Sequence, residues 1–188
     1  ERVRLVPASL DLAGAEIELV SMVAREYRLQ KALTTYLAEE PADVVLIDCP
    51  PSLGLLTLNA LVAAEEILIP IQCEYYALEG LGQLIRTVEM VTQHLNPGLH
   101  ISAILLTMTD SRTRLSDQVA DDVRGFFGDL VLKTAIPRSV RLSEAPGYGR
   151  SGLAYDTNAP GSQAYRAAAQ ELVARTIDLR STTQQVQA

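Results

Sequence analysis

Unbroken apolar runs alternate along this chain with stretches in which apolar residues recur every third or fourth position. Val44-Val45-Leu46-Ile47 runs straight into Asp48, and three of those four apolar residues are β-branched. A continuous run of this length fits a strand buried on both faces, as in a parallel sheet. Similar runs at Arg2–Pro7, Ile67–Gln72, Ile101–Thr107 and Leu130–Ile136 predict four more strands. Pro70 lies inside one of them, where its missing N–H must face the strand's end or an irregularity. Between the runs the period changes. Ile17, Val20, Ala24 and Tyr27 mark one helical face in a segment predicted to run from Ala13 to about Glu39. Gly54–Ala64 reads as a short helix. Leu78, Leu81, Ile85, Val88 and Leu95 mark the next, which stops at Asn96-Pro97-Gly98. Ser116–Phe127 is a further helix, and Tyr165, Ala169, Leu172, Val173, Thr176 and Ile177 form one face of a last one.

The order is β-α-β-α-β-α-β-α-β-loop-α. Such alternation implies right-handed crossovers and an α/β fold: a mostly parallel, doubly wound sheet with helices on both faces. The expected organisation is a single domain over residues 1–180, with a polar, disordered tail at 181–188. The segment from Pro137 to Pro160 is irregular and rich in Gly, Pro and Arg, and long irregular segments in compact domains tend to be functional.

Hydrophobic residues make up 48% of the chain, enough for a core, and Trp is absent. The formal net charge of −7 argues against a protein coated in basic charge, although a local patch can still bind phosphate backbones. Cys49 and Cys73 each end a predicted buried strand, with no CxxC and no Cys/His cluster, and read as reduced core thiols in the cytoplasm. No apolar run approaches the roughly 20 residues of a membrane span. No signal peptide is visible, and the opening on Glu1 rather than Met suggests an upstream segment.

Open α/β sheets bind ligands at the C-terminal ends of their strands, which is where Asp48 sits. By its chemistry alone Asp48 is either a metal-assisting carboxylate or a turn Asp, because Asp favours turns anyway. Pro50, Pro51 and Gly54 make a rigid strand-to-helix turn. Thr107-Met108 and Ile136-Pro137-Arg138 follow successive strands, where an apolar face beside backbone polar groups suits a flat ligand or ordinary loop packing. Arg112 and Arg141 lie in predicted loops away from helical ion-pair spacing, as solvated charges or as phosphate contacts.

At Asp48-Cys49-Pro50-Pro51-Ser52-Leu53-Gly54 the chain resembles the ParA/Soj chromosome- and plasmid-partitioning ATPases, members of the deviant-Walker P-loop group that includes MinD. The resemblance continues through Ile69–Gly80, Thr107–Thr113, Ile136–Pro146 and Asn158–Glu171, and covers Leu5 to about Ala174. It implies a P-loop NTPase-like fold that binds ATP with Mg²⁺. Asp48 would be the Walker-B-like acid at the catalytic and metal site. Pro50, Pro51 and Gly54 would be the switch that senses the γ-phosphate. Thr107, Met108, Ile136, Pro137 and Arg138 would wrap the nucleotide base. Glu74–Gly80 would lie near a homodimer interface, unless Tyr75 and Tyr76 are simply core. Arg112 and Arg141 would carry nonspecific DNA binding, widened by Arg114, Arg138 and Arg150. A ParB-type DNA-binding protein would be the regulatory partner, and the site of action the cytoplasm at the nucleoid, with no membrane.

One part of the family pattern is absent. A P-loop needs Gly-x-x-x-x-Gly-Lys-Ser/Thr. Only Lys31 and Lys133 are lysines, preceded by Gln30 and Leu132. The chain therefore resembles the C-terminal two-thirds of such an ATPase, and the 188 residues alone are expected not to hydrolyse ATP. Unpaired strand edges and exposed apolar surface are expected with it. A MinD-like positioning ATPase is an alternative, disfavoured because Ser181–Ala188 has no basic apolar face. The other is a non-catalytic DNA-binding or decoy module that lacks a P-loop.

Overall fold

A computed structural model of the chain describes residues 3–74 and 77–186. They divide into two compact units, one of Glu1–Glu65 with Leu84–His100 and one of Glu66–Gln83 with Ile101–Ala188.

In the first unit the helix predicted over 13–39 is two helices, α1 (Asp11–Val20) and α2 (Arg28–Glu39), joined through a short 3₁₀ turn at Arg25–Tyr27. No Gly or Pro announces the break at Ser21-Met22-Val23-Ala24. Met22 N–H bonds back to the Leu19 carbonyl at 3.0 Å, and Ala24 takes the left-handed conformation at φ 50°. The Arg25 guanidinium then donates to the Val20 carbonyl at 2.8 Å, satisfying an orphan acceptor at the end of α1. Helix α3 (Leu55–Ala63) matches its prediction, and so does α4 (Ala77–His94), whose residues from Leu84 belong to this unit. Two asparagines hold α3. Asn59 Oδ1 accepts the Leu29 N–H at 3.1 Å, while its Nδ2 donates to the carbonyls of Arg25 and Leu55 at 2.9 Å each. Asn96 Nδ2 faces the other end of α3 and donates to the carbonyls of Leu61, Val62 and Ala64.

Two predicted strands of this unit are not strands. Residues 3–7 and 44–48 have no regular secondary structure and make no ladder among the described residues. An apolar run becomes a buried strand only when neighbours take up both its hydrogen-bonding edges and its faces. Here Val3, Leu5, Val6, Val44 and Val45 are exposed, and Leu46 is 84% exposed. The exposed apolar surface expected from the sequence is therefore present. Arg4 tethers the first segment by side chain instead: it bonds Glu40 Oε2 at 2.7 Å and the Pro41 carbonyl at 2.6 Å, with its guanidinium over the Tyr36 ring. Cys49, expected to be buried, is exposed for the same reason; Cys73 is buried as expected.

The second unit carries the sheet. Strands β1 (Glu66–Gln72) and β2 (His100–Thr107) pair. His100 N–H bonds the Glu65 carbonyl and Cys73 N–H bonds the Thr107 carbonyl, so both ends match start to start and the pair is parallel. Along β1 burial alternates: Ile69, Ile71 and Cys73 are buried, Leu68 and Pro70 exposed. Among the described residues this strand is H-bonded to a strand on one side only, a setting in which Pro70 is tolerated. In β2 four consecutive residues, Ala103 to Leu106, are buried, so both its faces are covered. One face packs Ala103 and Leu105 with Leu132, Ile136 and Ala168. Helix α5 (Arg114–Phe127) buries Ser116, Val119 and Val123.

Residues 130–136 lie parallel to β2 without forming the regular strand predicted. Val131 bridges Ile104, Leu132 N–H bonds the Ile104 carbonyl, and Ile136 N–H bonds the Leu106 carbonyl. Between these points the backbone is claimed by a side chain. Glu171 accepts the N–H groups of Lys133 at 2.8 Å and Thr134 at 3.0 Å. The segment 137–160, expected to be irregular, contains two short helices, α6 (Val140–Glu144) and α7 (Gly152–Tyr155). They pack tightly: a Cβ on Gly152 or on Gly161 would collide with the Leu142 side chain. Helix α8 runs Pro160–Val186, through most of the tail expected to be disordered, since that stretch contains no Gly or Pro to stop it. Among the described residues no helix is long and apolar enough to cross a membrane.

Glu171 makes this unit acid-sensitive. Burial alone would raise its pKa, but the two backbone N–H bonds and the Arg175 guanidinium at 2.9 Å outweigh that and hold it at about 2, against an ordinary 4.5. A depressed carboxylate stabilises the fold above its unfolded pKa, and that contribution is lost as pH falls through the folded value. Melting temperature should therefore fall between about pH 5 and pH 2 partly through this group. Glu171→Gln should be less stable at pH 7 and show a shallower acid decline. Parallel pH profiles for the two proteins would contradict this assignment.

Candidate functional site

The predicted site residues fall in both units. Asp48, Pro50, Pro51 and Gly54 belong to the first; Thr107, Met108, Arg112, Ile136, Pro137, Arg138 and Arg141 belong to the second.

In the first unit the segment after Asp48 is exposed at its start and hydrogen-bonded at its end. Asp48, Pro50 and Pro51 are exposed, and the Asp48 carboxylate makes no hydrogen bond or ion pair among the described residues. From Ser52 onward the chain is tied down. Thr57 Oγ1 donates to the Ser52 carbonyl at 2.6 Å, and Leu58 N–H to the Gly54 carbonyl at 3.0 Å. The first turn of α3 is capped from afar: Leu55 N–H donates to Glu16 Oε1 at 2.8 Å. A carboxylate there satisfies an orphan donor and meets the positive end of the helix dipole. A Cβ on Gly54 would push the Glu16 carboxylate out of that contact. Nothing in the sequence spacing of Glu16 signals this role.

In the second unit the loops after β1, β2 and residues 130–136 meet. Thr107 closes β2 with both its polar groups: its carbonyl accepts from Cys73 N–H and its Oγ1 donates to the Ile71 carbonyl at 3.1 Å. Met108 then takes the left-handed conformation at φ 54°. This is costly for a residue with a long side chain, and such outliers cluster at ligand loops. Beyond it Thr109 bridges Pro137 in parallel, Thr109 N–H bonds the Ile136 carbonyl, and Arg138 N–H bonds the Thr109 carbonyl. The two predicted base-binding loops are thus joined by main chain. Ile136 itself is a core residue, with its N–H and carbonyl both engaged, so it shapes the loop and offers no side chain to a ligand. Arg138 reaches Glu74 at 3.2 Å, joining the loop after β1 to the other two. Tyr75 and Tyr76, predicted as interface or core, lie outside the described residues.

Both candidate DNA-facing arginines are exposed, and both are ion-paired. Arg112 is bidentate on Asp110, Nε to Oδ1 at 2.9 Å and Nη2 to Oδ2 at 2.7 Å. Those contacts and the Arg112 N–H hold the Asp110 carboxyl well below the usual carboxylate range. Arg141 corrects the expectation of a loop residue without ion-pair spacing. It lies in α6 and pairs with Glu144 at 3.3 Å, three residues on, and with Asp156 at 3.7 Å. Tyr155 donates to the same Glu144 and stacks on Tyr148 at 5.1 Å. The sequence signal for Asp110 was present: an Asp two residues before Arg112 is an Asx-turn spacing.

Among the described residues no three His, Cys, Asp or Glu side chains are grouped to hold a metal. An exposed carboxylate such as Asp48 still fits a Mg²⁺ that takes most of its ligands from phosphate and water.

Comparison with known proteins shows which family the chain belongs to. The AAA domain family matches residues 1–101. The sporulation initiation inhibitor protein Soj of Bacillus subtilis is 52% identical over 93% of this chain and 68% of its own length. The chromosome partitioning protein ParA of Myxococcus xanthus is 53% identical over 92% of the chain and 60% of its own, and a chromosome-partitioning ATPase Soj of Treponema pallidum is 50% identical. Among solved structures, one described as cobyrinic acid a,c-diamide synthase from Mycobacterium smegmatis, with bound ADP and magnesium, is 44% identical with a TM-score of 0.64 over 79% of this chain and 57% of that one. Its name denotes another reaction, but the partitioning relatives are more alike over more of the chain. A putative plasmid partition protein of Borrelia burgdorferi bound to AMPPNP shares the fold at a TM-score of 0.70 and 18% identity, over 92% of this chain and 63% of that one. The chain spans 60–68% of the length of these first curated relatives. Its motifs, its parallel α/β architecture and these likenesses lead to one conclusion: the chain belongs to the Soj/ParA family of chromosome-partitioning ATPases.

Proposed function

We propose that this chain is the DNA-facing and base-binding part of a partitioning ATPase. ATP with Mg²⁺ drives a homodimer, the dimer holds DNA without sequence preference, and a ParB-type partner regulates its release at the nucleoid. Asp48 is the carboxylate toward Mg²⁺, and Pro50, Pro51 and Gly54 are the switch leading into α3. Thr107, Met108, Pro137 and Arg138 border the base, with Ile136 as the loop's core anchor. Bound Mg²⁺ would neutralise phosphate charge. Arg112 and Arg141 contact DNA phosphates, with Arg114, Arg138 and Arg150 at the margins.

The observation that carries the DNA reading is Arg112. Its side chain is 83% exposed, yet its guanidinium is held in one orientation by Asp110. A guanidinium has five N–H donors, two of which point at the carboxylate here. The remaining edge faces solvent, oriented in advance for a phosphate.

The test is a titration of the full-length, ATP-bound protein onto two unrelated duplexes at several salt concentrations. Phosphate contacts predict equal affinities for both and a linear fall of log K with log salt. No binding at low salt, or a strong preference for one duplex, would exclude this reading.

A further inference from the structure

We infer that Asp110 is a positioning residue and built-in counter-charge that sets how tightly Arg112 holds DNA. This rests on the reading of Arg112 as a phosphate contact. Asp110 organises its loop through four groups. Its N–H donates to Oγ of the buried Ser116 at 3.1 Å. Its carbonyl accepts the N–H and Oγ1 of Thr113 at 3.0 and 3.1 Å. Oδ1 accepts the Arg112 N–H at 3.1 Å, closing an Asx turn, and both carboxylate oxygens take the guanidinium.

The consequence is a division of the arginine. Its inner edge is fixed on a carboxylate that is only 20% exposed, and its outer edge stays in water. Geometry for a second fork is retained while the net charge of the pair is zero. Counterion release depends on charge delivered to phosphate, so a compensated arginine gives less affinity and a flatter salt response than a bare one. The same design recurs nearby: Arg141 faces Glu144 and Asp156, and Arg138 faces Glu74. A surface compensated in this way holds DNA weakly enough to let go of it. Asp110 is the member whose carboxylate is most enclosed and most closely paired, and so the one with most control.

Asp110→Asn tests this. The amide keeps an acceptor for the Arg112 N–H and removes the charge. In the full-length, ATP-bound protein it should bind duplex DNA about two- to fivefold more tightly at low ionic strength, with a steeper salt slope. In an Arg112→Ala background the gain should shrink to that of neutralising a remote carboxylate, for which Asp122→Asn on α5 serves as reference. If Asp110→Asn melts far below the parent, Asp110→Ser keeps the turn acceptor and takes its place. Unchanged or weaker binding overturns the inference, as does an undiminished gain without Arg112. Should Arg112→Ala alone leave binding intact, the phosphate reading fails and this inference with it. Weakened binding in Arg112→Ala with no gain from Asp110→Asn overturns the counter-charge alone.

Discussion

Replacing Arg112 and Arg141 together by alanine is expected to weaken binding to any duplex by about tenfold or more near 0.1 M salt, equally for unrelated sequences. Two arginines per subunit are a small share of the chain's charge, so the effect must come from placement. Both guanidiniums are more than half exposed, and both are oriented by carboxylates. Each lost phosphate contact should flatten the slope of log K against log salt by about 0.9, and the proposed dimer would lose each contact twice. The internal ion pairs make the loss smaller than for two bare charges, because part of each arginine's field is already answered by Asp110 or Glu144. Lysine at both positions separates charge from geometry. It retains the positive charge and loses the fork, so it should fall between parent and alanine. A double alanine variant that binds like the parent at every salt concentration would remove these residues from the DNA surface.

The elements legible in the sequence are those whose partners lie within the chain. The apolar spacing that includes Leu81 and Val88 gave α4, and the apolar run containing Ala103–Leu106 gave β2, because each of these faces is covered. Val44–Ile47 has an equally strong strand pattern and is not a strand. Pattern reports what a segment needs, and a strand also needs neighbours. The break at Ala24 was hidden for a different reason: Arg25 stabilises it through a main-chain contact that leaves no periodic trace. Residues 130–136 were misjudged because Glu171, 37 and 38 positions away from Thr134 and Lys133, competes for their N–H groups. In the candidate site the arginines and the strand-end loops were visible as residue types. Of their counter-charges, Asp110 is signalled by its Asx-turn spacing to Arg112, whereas Glu144 becomes a partner only once α6 forms.

Asn59→Ala is expected to destabilise the first unit by about 2–4 kcal/mol. The side chain is 4% exposed, and all its polar capacity in reach is spent. Its Oδ1 holds the Leu29 N–H, one of the first-turn donors of α2 that have no partner within the helix. Its Nδ2 holds the Arg25 carbonyl in the 3₁₀ turn that precedes α2. Truncation therefore removes a helix cap, worth about 1 kcal/mol, and leaves a buried donor and acceptor without partners at about 1–3 kcal/mol more. Asn59→Asp should be no better. It keeps the acceptor for Leu29 but turns a negative charge toward the carbonyls of Arg25 and Leu55. Asn59→Leu fills the space and still strands the Leu29 N–H, so hydrophobicity cannot rescue it. The measurement is urea unfolding, read as a lower midpoint at an unchanged slope. The consequence for function follows from connectivity. Asn59 sits on α3, and the segment Asp48–Gly54 runs directly into the first turn of that helix, where Glu16 caps it. A helix that shifts moves the end to which the proposed switch is anchored. Asn59→Ala should accordingly weaken nucleotide-dependent DNA binding at temperatures where the protein is still folded, while leaving Arg112 and Arg141 intact. Normal stability in that variant would mean that Leu29 and Arg25 find other partners, and that α3 is held by Asn96 and Glu16 alone.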